Sequence, residues 1–174
     1  MDPKTINLTI TDSIQYKLLG CVFYGDPFHS AKEWSYKNEI GKLWSRFYRL
    51  IQKYESYFSS ISKWPKVSYE LHLEPEDYDG KKNKNYYVFV GICIQDFNEI
   101  PLEMFIKTLP RTRYLEFTTE ATDQDSGAEK VFGEFLGSKK KYQQSYPFII
   151  QRYDKRYKGL NKKGSYLDWL IPIK

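Results

Sequence analysis

Apolar and polar positions along the chain alternate first and then lengthen their period. Thr5 to Ile10 and Ile14 to Tyr24 read as β-strands, with a Thr-Asp-Ser turn between them and Gly25-Asp26-Pro27 as the break after the second. Ile40, Leu43, Trp44, Phe47, Ile51 and Tyr54 then recur at three- and four-residue steps, with Lys42, Arg46, Arg49 and Lys53 on the wet side. That spacing predicts one amphipathic helix from about Trp34 to Ser59. Trp64-Pro65 ends it. From Lys66 to Leu73 the period returns to two: Val67, Tyr69, Leu71 and Leu73 share one face, and Ser68, Glu70 and His72 the other. The acidic, then glycine-containing, then basic stretch from Glu74 to Asn85 is a hairpin loop. Tyr86 to Ile94 has little polar interruption and is expected to be central in its sheet.

A second pass begins at Glu103 to Thr108, breaks at Leu109-Pro110, and continues as a strand from Arg113 to Thr119. A shorter helix follows, capped near Ser126 and holding Val131, Phe132, Phe135 and Leu136; Gly133 and Gly137 weaken it. Lys139 to Gln144 is a linker, and Tyr146 to Tyr153 with Ser165 to Ile173 form a closing hairpin. The element order is strand, helix, strand, strand, twice over, dividing near Asn98. The expectation is one α+β domain over residues 1–174, made of two repeats of about 1–97 and 98–174. Each repeat has one apolar sheet face for its helix, and two such units leave a groove where ligand sites form.

Composition narrows the function less than the pattern does. A hydrophobic share of 41% and a charged share of 28% over 174 residues are those of a folded chain. Aromatics reach 18%, with 16 Tyr, 11 Phe and 4 Trp. They can fill a core, line a pocket or stack on bases, and a Lys- and Tyr-rich, Ala-poor genome would produce part of the excess. The net charge is +5. Its lysines gather at Lys81, Lys82 and Lys84, at Lys139 to Lys141, and with Arg156 around Lys155, Lys158, Lys162 and Lys163. These are loop positions and read as solvated tips, whereas nucleic-acid binders concentrate charge on one face. No direct nucleic-acid partner is expected; an adaptor role for the basic loops would show itself as strongly salt-dependent binding.

Cys21 and Cys93 each lie in an apolar run and read as buried free thiols. His29 and His72 are too few and too separate for zinc. There is no Ser-His-Asp set or phosphate loop, so neither metal nor cofactor is expected. No signal peptide, membrane span or lipidation motif is present, so the expected location is cytoplasmic, without a membrane partner. Strand residues begin close to Met1, so no DNA-binding module is expected to precede them.

The closing hairpin carries the candidate chemistry. It reads Ser-Tyr-Pro-Phe-Ile-Ile-Gln-Arg-Tyr-Asp from Ser145 to Asp154 and Ser-Tyr-Leu-Asp-Trp-Leu-Ile-Pro-Ile-Lys from Ser165 to Lys174. Gln151, Tyr153 and Asp168 are polar groups set among aromatic and β-branched neighbours, a composition suited to an aromatic or cationic ligand. Each also has an ordinary reading. Trp44 and Phe47 fit a helix core; Tyr69, Tyr114 and Tyr153 fit packed rings; Gln151 and Asp168 fit a solvent face.

Five stretches together resemble one family. They are Leu43-Trp44-Ser45-Arg46-Phe47, Tyr69 at the start of its strand, Tyr87-Val88-Phe89-Val90-Gly91, Leu109-Pro110-Arg111-Thr112-Arg113-Tyr114-Leu115, and the ending. The fourth is similar to the family's Ile-Pro-Ala-Gly-x-Tyr-Ala. In the ending, the family has Phe-Glu-x-Tyr and then an acidic residue before Ile-Pro-Ile. The chain in this way resembles the GyrI-like small-molecule-binding domain, the effector-binding domain of AraC- and MerR-type multidrug regulators such as BmrR, and in particular its stand-alone integron-cassette members.

The resemblance implies two pseudo-symmetric βαββ repeats, a mainly antiparallel sheet and a ligand cleft between the repeats. It implies a multidrug binder holding aromatic, cationic amphipathic compounds, for sensing or sequestration, with a regulatory protein as a further partner. The ligand-binding set it implies is Trp44, Phe47, Tyr69 and Tyr114, with Phe132, Gln151, Tyr153 and Asp168. The family's glutamate falls on Gln151, which carries no charge, while Asp168 keeps the acidic position of the last strand. The alternative is a GyrI-like hydrolase of reactive electrophilic small molecules. Gln151 cannot serve as its base, so Asp168 or Glu70 would have to.

Overall fold

The computed structural model describes residues 8–31, 35–95, 99–137 and 140–174. The expected start of the first strand at Thr5, of the first helix at Trp34, the division at Asn98 and Lys139 of the lysine run lie outside them. The fold is α+β. Its elements in chain order are β1 (Thr9–Ile10), β2 (Lys17–Gly25), α1 (Glu39–Lys53), α2 (Glu55–Ile61), β3 (Ser68–Leu73), β4 (Tyr86–Cys93), β5 (Phe105–Thr108), β6 (Arg113–Glu120), α3 (Gln124–Phe135), β7 (Phe148–Tyr153) and β8 (Tyr166–Ile173). They fall into two compact units, Tyr16–Leu109 and Pro110–Lys174 with Met1–Gln15.

In the unit Tyr16–Leu109, β2 pairs antiparallel with β4 from Leu18↔Cys93 to Gly25↔Tyr86. β5 lies along the other side of β2, and β3 along the other side of β4. The order is therefore β3-β4-β2-β5. The strand predicted to open the second pass thus lies on the β2 ladder. In the other unit β6 pairs with β8 and β1, and β8 with β7, all antiparallel. Its order, β7-β8-β6-β1, repeats the first: a strand, a helix, then a hairpin whose second strand returns beside the first strand. The duplication expected from element order is present as shared topology.

α1 forms where the apolar stripe lies, and Asn38 starts it. The Asn38 side chain accepts from the Gly41 N–H at 2.9 Å, satisfying one of the donors a helix start leaves open. Ile40, Leu43, Phe47 and Leu50 are buried against Leu19, Cys21, Val88, Val90 and Ile92 of β2 and β4. Burying a side chain such as Phe47 stabilises the fold by about 1.5–3 kcal/mol. The single helix expected to Ser59 is instead broken. Tyr54 leaves helical geometry at φ −120°, its N–H closing α1 onto the Leu50 carbonyl, and α2 restarts at Glu55. Periodicity does not register the break, because Phe58 and Ile61 still reach the same core.

The second helix is shorter, 12 residues against 15. It begins through a 3-10 turn at Ala121–Asp123 rather than at a serine cap. Ser126 instead donates its hydroxyl proton to the Asp123 carboxylate. Ala128 and Val131 of α3 pack on Leu115, Phe117, Leu167, Trp169 and Ile171 of β6 and β8. In each unit the helix covers one sheet face, so residues two apart on a strand share the helix side. Cys21 and Cys93 are both buried free thiols.

Candidate functional site

A carboxylate stands on the helix side of the first unit's sheet. Glu70 lies opposite Val90 in the β3–β4 ladder, and Val90 belongs to the core under α1. Glu70 is 2% exposed. Taking a carboxylate out of water is costly unless it is hydrogen-bonded, and two donors face it. The Trp44 indole N–H of α1 donates to Oε2. The His72 Nε2 lies 2.6 Å from Oε1. Strand alternation brings 70 and 72 to one face, and the helical step brings Trp44 over them.

Aromatic rings surround this group. Trp44 lies 6.1 Å edge-on from Phe47 and 5.5 Å from Tyr48. His72 lies 5.5 Å from the Tyr86 ring, which in turn meets Tyr78 edge-on at 5.9 Å. Burial pushes the Tyr86 phenol far above its ordinary value, and the Glu70 charge adds to the shift. Among the described residues no Lys or Arg forms an ion pair with Glu70. The arrangement is a carboxylate held by an indole N–H and an imidazole inside a ring-rich wall, which suits an organic cation.

The other predicted residues of this unit lie differently. Phe47 is fully buried in the helix–sheet core. Tyr69, also buried, projects from the sheet face opposite Glu70 and packs on Tyr16 at 5.6 Å and Trp64 at 6.4 Å.

In the second unit Gln151 and Asp168 project to opposite faces. The register pairs Gln151 with Trp169, and Arg152 with Asp168. Trp169 and Tyr153 belong to the cluster under α3. Gln151 is therefore on the helix side, 2% exposed, and its Oε1 accepts the Tyr153 hydroxyl proton at 2.5 Å. The two units thus share a device. On the strand after the helix, Glu70 with His72 and Gln151 with Tyr153 are each hydrogen-bonded i,i+2 pairs facing the helix. One is charged, the other neutral.

Asp168, 1% exposed, is enclosed by its own cations. Its carboxylate accepts from Thr118 Oγ1 at 2.6 Å, from Arg152 Nε and Nη2 at 3.0 and 2.7 Å, and from Arg156 Nη2. Arg152 also pairs with Glu116, and Arg156 with Asp154. Burial alone lowers the Arg152 pKa, but the bonds to Asp168 and Glu116 outweigh it and hold the guanidinium charged. Arg156 comes from the loop read in sequence as a solvated basic tip. It folds back onto the sheet instead, because a buried carboxylate binds guanidinium better than water does.

Tyr114 is fully buried, with its ring 6.5 Å from Phe148. Phe132, with Leu136, Gly137, Gln143 and Gln144, lines a groove of about 370 Å³. Sequence reasoning did not single out His72 or Tyr86 as site residues. The one available signal was that 70, 72 and Trp44 fall on facing positions.

Among the described residues, no group of three or more His, Cys, Asp or Glu side chains is placed to hold a metal. No helix is long and apolar enough to cross a membrane. Comparison with curated protein sequences finds no match. The family model described as "Integron-associated effector binding protein", Cass2, matches residues 17–173. Among solved structures, the integron cassette protein VCH_CASS2 of Vibrio cholerae aligns with a TM-score of 0.55 at 15% identity, over 98% of this chain and 97% of that one. SAV2435 bound to tetraphenylphosphonium aligns at 0.65 and 10% identity, over 98% and 94%. The EcmrR C-terminal domain aligns at 0.57 and 9% identity, over 97% and 98%. At such identities the likeness shows the fold.

Proposed function

Because the chain belongs to the integron-associated effector-binding protein family, its general task is to bind a small molecule, and we propose that it takes aromatic, cationic amphipathic compounds at Glu70, for sensing or sequestration in the cytoplasm. The observation that carries this reading is the Glu70 environment. The carboxylate is 2% exposed, and its partners are an indole N–H and an imidazole. No guanidinium or ammonium among the described residues compensates it, in contrast to Asp168. A ligand cation supplies the missing charge, and the Trp44, Tyr86 and Tyr48 rings supply stacking and cation–π attraction. The ligand named for SAV2435 is chemically of this kind, a phosphonium charge shielded by phenyl rings. A regulatory protein that reads the bound state is the partner this reading calls for.

The test is a tetraphenylphosphonium titration followed by Trp fluorescence, since Trp44 touches the proposed anion. Saturable quenching at micromolar concentration supports the proposal. A flat response to tetraphenylphosphonium and to rhodamine-type dyes defeats it. A second reading has one observation in its favour. The 2.6 Å contact between Glu70 and His72 is a carboxylate–imidazole pair of the sort that activates water. Under that reading the protein hydrolyses an electrophilic aromatic compound, and turnover of such a compound, lost in His72→Phe, would decide for it.

A further inference from the structure

Glu70 and Asp168 are both buried, and they are compensated in different ways. Asp168, 1% exposed, is bonded by Arg152 and Arg156. A guanidinium stays charged at any pH a folded protein meets, so that compensation is permanent. Glu70, 2% exposed, is bonded by Trp44 and His72. An indole N–H carries no charge, whereas an imidazole gains or loses one near neutral pH. The compensation of Glu70 is therefore removable.

The geometry around His72 suits such an exchange. An ionised carboxylate only accepts, so the ring nitrogen 2.6 Å from Glu70 Oε1 is the donor in either charge state, and the ring's charge is decided at its other nitrogen. Glu70 keeps 2% of its side chain exposed and His72 keeps 18%, so a proton passes between the pair and water on the His72 side. On β4 the Tyr86 ring lies 5.5 Å from the imidazole, and Tyr78 meets Tyr86. From α1 come the neutral Trp44, on Glu70 itself, and Tyr48, 5.5 Å from Trp44. Burial pushes the phenols of Tyr48, Tyr78 and Tyr86 up, which keeps them neutral. Among the described residues, the other charges that reach this corner are acidic: Glu74 on the β3 side, Asp26 after β2, and Asp79 in the loop after β3. His72 is the base in that set.

We propose that the Glu70 site exchanges a proton for its ligand: at mildly acidic pH His72 carries the proton that offsets Glu70, and an arriving organic cation expels that proton to solvent. The proposal rests on the cation reading of Glu70 and adds the regulation of that site. Two cations beside one carboxylate repel each other, so the imidazolium and the ligand compete for Glu70. Affinity is therefore full where the imidazole is neutral and falls as pH drops through its titration. Linkage is reciprocal: a proton that weakens the ligand is released when the ligand binds.

Tetraphenylphosphonium titrations at about pH 8 and about pH 5.5 test it on the parent and on His72→Gln, which keeps an N–H for Glu70 and takes up no proton. The parent is expected to bind roughly tenfold more weakly at the lower pH, and His72→Gln to bind alike at both. Calorimetry of the parent at about pH 6.5, in phosphate and in Tris, counts the protons released and needs no variant, so it decides alone if a thermal melt shows His72→Gln misfolded. Equal parent affinity at the two pH values, no proton release, or an equal loss in His72→Gln overturns the proposal; the last result would hand the effect to the carboxylates. An absence of binding at either pH defeats the cation reading and this proposal with it, whereas binding that ignores pH defeats the proposal alone.

Discussion

Replacing Asp168 by Asn separates a structural carboxylate from a ligand-binding one. Asp168 is 1% exposed, while Arg152 and Arg156 keep 25% and 40% of their side chains exposed. Removing one partner of a fully buried ion pair costs about 3–5 kcal/mol. Here the guanidiniums are partly wet, and Glu116 and Asp154 remain to hold them. Asn also keeps one oxygen for an Arg152 N–H. The loss should therefore be about 2–3 kcal/mol, below the fully buried figure. For a chain of this length each kcal/mol moves Tm by about 2–4 °C, so Asp168→Asn should melt roughly 4–12 °C lower. Differential scanning calorimetry measures that, and tetraphenylphosphonium titration below the melt measures binding. The expected pair of results is a lowered Tm with Kd within about twofold of the parent. An unchanged Tm with a collapsed affinity would refute the reasoning and place Asp168 in the ligand site.

Two further expectations follow from the same geometry. A Cβ on Gly20 would sit 1.9 Å from the Val90 carbonyl oxygen across the β2–β4 ladder, a backbone contact with nothing flexible to yield. Gly20→Ala should therefore abolish soluble expression or cost several times the roughly 1 kcal/mol of an ordinary substitution, and a normal urea midpoint would contradict it. Asp154 gives an acid-limb test. Burial pushes its carboxyl up, but hydrogen bonds and charge from Arg156 outweigh that, so the folded pKa is below the ordinary value. Its contribution to stability is then fully present above the unfolded carboxyl pKa of about 3.9 and is lost as pH falls through the folded value. Asp154→Asn should flatten that limb below about pH 4, and an unchanged acid limb would count against the Arg156 contact.

The repeat architecture was legible because it is written in periods. The 3.6 spacing of Ile40, Leu43 and Phe47 and the alternation around Glu70 each report a face, and faces are what the two sheets use. The break at Tyr54 was not legible, since both segments keep their apolar residues in phase with one core. The candidate site was half legible. Strand alternation put Glu70 and His72 on one side, and the helix put Trp44 on its apolar stripe. That the indole N–H meets the carboxylate is a tertiary fact, set by how α1 lies over β2 and β4 with Trp44 toward β3. Asp168 shows the opposite case. Alternation with Leu167 and Trp169 puts it on the face away from the helix, where local pattern reads solvent. Both its burial and its neutralisation are tertiary, the latter through Arg156, twelve residues earlier in a loop. Local pattern assigned that arginine to solvent, and only the fold returns it to the sheet. Gln151 and Asp168 were grouped as neighbours in one hairpin, yet the register of β7 and β8 sends them to opposite faces.

The central claim is that Glu70, not Asp168, is the anion a ligand meets. Tetraphenylphosphonium affinity of Glu70→Gln against the parent tests it most directly. The amide keeps the size of the side chain and an oxygen for the Trp44 N–H, removes the charge, and turns the atom facing His72 into a donor. Truncating one partner of a buried charge pair in a binding site costs about 2–3 kcal/mol at the low end, so affinity should fall roughly 30- to 150-fold. Equal affinity in the two proteins would contradict the account.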